Sequence, residues 1–339
     1  MHMSDALLNP VVGGAFWAAS GTLLALSARK VKTEADSFKT PLMAITGAFV
    51  FAAQMINFTI PGTGSSGHLG GGLLLAALLG PWRAFITLAS VLTIQCLFFA
   101  DGGLLALGCN IFNLAFFPVF VAYPFIFKPL AGDMKSPVRL ALASFGGATA
   151  GLLLGAFSVV LETLLSGITE LPFSTFILFM MPIHLAIGLV EGLVVFGVLS
   201  FVQKAQPSLL SAAAGQRVGR NVMVPFLIGT LLVGGMVSWF ASSHPDGLEW
   251  SMAKVSGKEE LDSKPGFITS RLAFIQQKLA FLPDYSFKAE ENGTEPGESN
   301  SPISVGTSVS GLAGSLMVLA LTFGIGYIIR RKTKTHGHT

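Results

Sequence analysis

Long apolar runs separated by short polar breaks organise this chain. The runs cover residues 11–27, 42–60, 73–80, 84–100, 104–127, 140–165, 173–202, 222–241 and 309–329. Most approach or exceed the roughly 20 residues that carry a helix across a hydrocarbon core of about 30 Å. The run at 73–80 is too short to span alone. A glycine-rich loop, 61–72, precedes it, and the two together are expected to form a re-entrant or partly unwound crossing. Non-helical backbone at that depth is tolerated where protein buries it. The pattern predicts an all-α polytopic membrane protein.

The charges orient these runs. With the N-terminus outside and strict alternation, every short outer loop is free of Lys and Arg. The inner segments then hold fifteen of the 21 basic residues, from Arg29 and Lys30 to Arg330, Arg331, Lys332 and Lys334. The other six lie in the polar stretch 244–308, and long segments translocate largely regardless of charge. The scheme works only if 73–80 counts as a crossing. It predicts nine crossings, with the N-terminus outside and the C-terminus cytoplasmic. Composition agrees: 52% of residues are hydrophobic and 12% charged, against about 25% charged in soluble domains. No positive n-region precedes the first run, so that run is read as a retained helix and not a cleaved signal.

Several chemistries are excluded. Cys96 and Cys109 sit in apolar surroundings with no Cys/His zinc spacing, so neither a disulfide framework nor structural zinc is indicated. His68-Leu69 follows the glycines where a phosphate-binding loop needs Gly-Lys-Ser/Thr, so ATP hydrolysis by that route is excluded. No nucleic-acid partner is expected.

The topology places His2, His68 and Asp101 on the outer side. The α-amine of Met1, the amide nitrogen of His2 and His2 Nδ1 can close on one metal ion through a five-membered and a six-membered ring. Three nitrogens in one plane suit Ni(II), Co(II) or Cu(II) better than tetrahedral Zn. His68 is the candidate fourth nitrogen, carried inward by its glycine-rich loop. The competing reading of His2 is a residue in a frayed end.

Other polar residues have structural readings beside functional ones. His184 and Glu191 are seven apart and share a face of one membrane helix, which makes them functional candidates. Gly188 and Gly192 line nearly the same face and read as close helix packing. A packing network is preferred to a metal-transfer path. Asn110 is a candidate donor that orients His68. Glu162 is placed at the interface, and Cys109 in the packing. His336 and His338 belong to a solvated tail. Residues 267–281 carry apolar positions at helical spacing (Phe267, Ile268, Leu272, Ile275, Leu279), followed by Leu282. They predict an amphipathic helix, interfacial in preference to a lid over the site. Residues 288–301 read as disordered.

Four stretches in order carry a family resemblance. They are Met-His-x-x-Asp-x-x-Leu-x-Pro at 1–10, residues 62–72 around His68, residues 99–110, and His184-Leu-Ala-Ile-Gly-Leu-Val-Glu-Gly ending at Gly192. Together they resemble the CbiM/NikM substrate-binding components of energy-coupling factor transporters, over about residues 1–205. Pro245-Asp246-Gly247-Leu248-Glu249 is similar to the NikN-type partner, so the chain resembles a fused NikMN-like arrangement. The implied domains are 1–205 for metal binding, 206–221 as a cytoplasmic linker, and 222–339 as two membrane helices flanking a long extracytoplasmic loop.

The resemblance implies a multi-pass cell-membrane protein that captures Ni(II) or Co(II) for import. The metal is cargo and no cofactor is implied. The chain is then not an enzyme: a transmembrane coupling subunit and two ATPase subunits are separate partners, with membrane lipid around them. The implied metal ligands are Met1, His2 and His68. Asp101 stands where the family often has His before Gly-Gly, and no metal role is transferred to it. The nitrogen set accepts nickel and cobalt alike. An S component for another small solute is the alternative. A membrane-embedded enzyme is a second one, disfavoured because no paired carboxylates or nucleophile–base set occurs at reactive spacing.

Overall fold

The computed structural model describes residues 2–34, 39–210, 217–262, 266–287 and 305–334. Met1, residues 288–301, and His336 and His338 therefore lie outside the described residues.

Helix α1 (Pro10–Thr33) starts where the Asn9 side chain accepts from Val11 N and Val12 N, with Pro10 at the first helical position. A cap of this kind satisfies amide donors that have no partner inside the helix. Next come α2 (Lys39–Gln54), the strands β1 (Phe58–Ile60) and β2 (Ser65–Gly67), α3 (Gly72–Leu79), α4 (Pro81–Phe99), and α5 (Leu107–Ala131). Helices α6 (Pro137–Ser166) and α7 (Phe173–Ala205) complete the first bundle. Then follow α8 (Arg220–Gly235), two shorter helices, α9 (Gly247–Ser256) and α10 (Phe267–Leu279), and the last span, α11 (Val305–Lys334).

Six of these, α1, α4, α5, α6, α7 and α11, are long and apolar enough to cross a membrane. The chain is an all-α polytopic membrane protein apart from one feature its apolar pattern did not predict. Within the glycine-rich loop, β1 and β2 pair antiparallel, with Thr59 opposite Ser66. The intervening turn uses Gly62 and Gly64, both at positive φ, where glycine has no Cβ penalty. Helix α3 has only eight residues, all of them buried.

Close packing explains several small residues. A Cβ on Gly188 would stand 2.7 Å from Thr149 Cα, and one on Gly192 would stand 2.7 Å from Phe145 Cα. Helices α6 and α7 therefore meet almost backbone to backbone at the face that also carries His184 and Glu191. Helix α5 takes the wider π form over Phe112–Phe127, with Pro118 and Pro124 inside it. Helix α11 packs on α2 and α8, so the second module's membrane helices lie directly against the first module.

Candidate metal centre

The chain start is seated, not frayed, from His2 onward. Met3 is fully buried. Its N–H donates to Asn110 Oδ1 at 2.7 Å, and its carbonyl accepts from Asn110 Nδ2 at 3.1 Å and from Gly103 N at 2.9 Å. Asp5 Oδ1 accepts from Ala106 N at 3.0 Å. Asn110 thus grips the backbone just after His2. The expected bond from Asn110 to His68 is not among its contacts, because both ends of its side-chain amide are committed to Met3. Nothing in the sequence separates these two uses of one asparagine.

The His68 loop is pinned from the membrane side. Gln54 Nε2 donates to Gly70 O at 2.9 Å, and Gln95 Nε2 donates to Gln54 Oε1 at 3.0 Å. Glu191 accepts from Gly70 N at 2.8 Å and from Gly71 N at 3.0 Å, one amide to each oxygen. Gly71 then turns the chain into α3 at φ +76°.

These two anchored stretches bring the rings of His2 and His68 together. Their centroids are 4.9 Å apart and their planes differ by 6°. The His68 Nδ1–H donates to Leu69 O at 3.1 Å, which puts the ring's lone pair on Nε2. This is the tautomer that metal-binding histidines adopt when a carbonyl orients them. Burial above all keeps the ring neutral, pushing its pKa down to about 3.

His2 Nδ1 lies 3.0 Å from Asp101 Oδ1. Tyr285 Oη donates to Asp101 Oδ2 at 2.5 Å. Against the cost of burial, His2 and Tyr285 hold the Asp101 carboxyl well below the usual carboxylate range. Closing a chelate through Nδ1 therefore breaks the contact with Asp101.

The segment between α8 and α11 covers this end. Ser66 N donates to Pro245 O at 2.8 Å, Ser66 Oγ to His244 O at 2.7 Å, and Trp250 Nε1 to Thr63 O at 3.0 Å. Gln276 of α10 donates to Gly102 O at 2.7 Å and to Cys96 O at 3.0 Å. Phe267, Ile268, Phe274, Ile275 and Leu279 of the same helix are exposed. Helix α10 therefore combines an outward apolar face, as an interfacial helix has, with a polar grip on the loop behind Asp101.

Two intramembrane expectations resolve differently. Glu191 serves the His68 loop directly and is buried with both oxygens occupied. His184 donates Nδ1–H to Met180 O at 2.8 Å, while its buried Nε2 has no hydrogen-bond partner among the described residues. Glu162, expected at the interface, is instead buried. Its carboxylate accepts from Asn113 Nδ2 and Ser158 Oγ, each at 2.9 Å, because α5 packs over that end of α6.

Among the described residues, no three His, Cys, Asp or Glu side chains gather into a ligand set. The cavity that His68 lines with His184 and Gly247 measures about 10 Å³, the scale of a single small species.

The family model described as "Cobalt uptake substrate-specific transmembrane region" matches residues 2–209, and the PDGLE domain model matches residues 220–331. The chain belongs to the cobalt-uptake substrate-specific transmembrane family. A relative from Archaeoglobus fulgidus, described as a putative fused nickel transport protein NikMN, is 31% identical over 334 residues, covering 96% of this chain and 98% of its own. Another from Lactiplantibacillus plantarum, a probable fused nickel transport protein LarMN, is 28% identical over 348 residues, covering both chains fully. A crystal structure of a truncated transition metal transporter matches with TM-score 0.53 and 33% identity, covering 60% of this chain and 99% of that one. Members of this family are metal transport components of the membrane and not enzymes, and this chain joins a CbiM domain to a PDGLE domain.

Proposed function

We propose that this chain is the metal-capturing component of an energy-coupling factor importer for Ni(II) or Co(II). The ligands would be the α-amine of Met1, the amide and imidazole of His2, and His68 Nε2. The observation that carries this reading is the parallel approach of the His2 and His68 rings at a chain start held by its backbone. The small cavity beside His68 favours an ion over a larger organic solute. An amine, an ionised amide and two imidazoles form a set suited to tetragonal Ni(II); the same set accepts Co(II).

The proposed topology is nine crossings with the metal site outside and the C-terminus cytoplasmic. The six long spans, the shorter α2 and α8, and the re-entrant α3 together supply that count. The proposed domains are 1–205, a linker at 206–221, and 222–339. A coupling subunit and two ATPase subunits would be separate chains. A face of α1 supports such a partner: Gly14, Ala18, Gly21 and Ala25 are exposed at helical spacing, and small residues let another membrane helix approach closely.

The test is nickel and cobalt uptake by cells producing this chain with its coupling and ATPase subunits. His68→Ala should lower uptake at least tenfold. Wild-type uptake by that variant contradicts the ligand assignment.

A further inference from the structure

Helix α10 is attached to the protein along one edge. None of its 13 residues is buried. Gln276 holds it, with Nε2 donating to Cys96 O at 3.0 Å and to Gly102 O at 2.7 Å. Just past the helix, Leu282 N donates to Phe98 O at 3.3 Å. Cys96 and Phe98 lie in the last turn of α4, which ends at Phe99. Helix α10 therefore lies level with the end of a membrane-spanning helix.

Its free face combines apolar surface with positive charge. Phe267, Ile268, Phe274 and Ile275 recur at helical spacing and are exposed, Phe267 at 79%. Arg271 and Lys278 fall on the same face, each four residues after one of the two phenyl rings. Arg271 Cζ lies 5.5 Å from the centre of the Phe267 ring, and Lys278 Nζ lies 4.4 Å from that of Phe274. Neither cation pairs with a carboxylate among the described residues, and the helix contains no Asp or Glu. An exposed apolar patch marks a contact surface, and its depth and charge select the occupant. The end of α4 is the level of the lipid headgroups. Apolar side chains of a helix lying there enter the boundary with the acyl chains. Arg and Lys lay their stems along such surface and extend their charges to the headgroups, where two cations without an acid attract anionic lipid.

We propose that α10 docks on anionic phospholipid at this end of α4, and that the docking steadies loop 100–106 through Gln276. Headgroup phosphates would meet Arg271 and Lys278. Gln276 points to the opposite side of the helix, so lipid and loop hold its two faces. The loop in question carries Asp101, which contacts His2, and Gly103, whose N–H donates to Met3 O at 2.9 Å. A lipid contact at α10 thus reaches the chain start through one side chain. Neither the contact nor its effect on the loop depends on which ion the site captures.

The test uses the full metal-free chain in nanodiscs of phosphatidylcholine with or without phosphatidylglycerol. A Phe274→Trp probe reports the contact. Brominated phosphatidylglycerol should quench the fluorescence that this probe adds about threefold more than brominated phosphatidylcholine does. Arg271→Gln combined with Lys278→Gln should remove that preference. Salt near 1 M, which screens charges beyond about 3 Å, should do the same without further substitution. Hydrogen exchange of residues 100–106 should be slower with phosphatidylglycerol present, and Gln276→Leu should abolish that difference while the quenching preference stays. Equal quenching by the two lipids overturns the proposal. So does the absence of quenching, which would mean that α10 faces water or another protein. Loop exchange that ignores lipid composition in the wild-type chain overturns the link through Gln276.

Discussion

His2 and His68 lie 66 positions apart in the chain, yet their rings stack at 4.9 Å with planes 6° from parallel. Each ring has one polar contact of its own, His2 Nδ1 with Asp101 and His68 Nδ1 with Leu69 O, and the backbone beside each is held from elsewhere. Asn110 fixes the backbone beside His2, and Glu191 with Gln54 fixes the loop beside His68. The predictions below separate these supports from the ligands they position.

Asn110→Ala removes both hydrogen bonds to Met3; the carbonyl keeps Gly103 N, and the buried N–H loses its partner. An unsatisfied buried donor costs about 1–3 kcal/mol. The seated chain start should loosen, and nickel retention should fall at least tenfold while the membrane bundle stays folded. Nickel dissociation rates, measured beside the helical circular-dichroism melting curve, check this. Unchanged dissociation would mean that Met3 needs no clamp.

Glu191→Gln keeps the side-chain shape and leaves one carbonyl oxygen where two oxygens each accepted an amide. One of the amides of Gly70 and Gly71 then faces an NH₂ group. A penalty of about 1–3 kcal/mol is expected, concentrated in the loop that carries His68. Hydrogen exchange of residues 61–71 should rise relative to α6 and α7. Equal protection in variant and wild type would assign Glu191 to helix packing alone.

Acid should unseat the His68 loop in the metal-free protein. The seated ring has a pKa of about 3, against 6.5 ordinarily. Below pH 6.5 the unseated loop takes up a proton that the seated loop refuses, so seating weakens as pH falls from about 6.5 toward 3. Two pH units into that window correspond to about 2–3 kcal/mol. Loop protection should therefore drop between pH 7.5 and 4.5 in wild type and change far less in His68→Gln. An equal drop in both would place the titration elsewhere.

Much of this architecture was legible in the residues. Runs such as 140–165 and 173–202 have one stable solution in lipid, a helix, because every backbone group must bond internally. Gly188 and Gly192 announced a close contact, and that contact is present between α6 and α7. The resemblance at residues 1–10 and around His68 pointed to the two histidines that the fold brings together.

Other features depended on tertiary placement. The β1–β2 ribbon is three residues a side, too short for an alternating pattern to stand out among glycines and serines. Asn110 and Glu162 were assigned by their position along the chain, and each found its partners on another element: Met3 for Asn110, and Asn113 of α5 for Glu162. The hold of Gln276 on Gly102 O spans 174 positions, and neither sequence neighbourhood encodes it.

The most direct test of the central claim is the metal content of the purified chain with its native start, beside one extended by a single residue before Met1. The extension converts the amine donor into an amide and moves the free amine out of the chelate. One nickel or cobalt ion per chain is predicted for the native start, and little or none for the extended protein. Equal, full metal content in both would show that the amine is not a ligand and contradict the account.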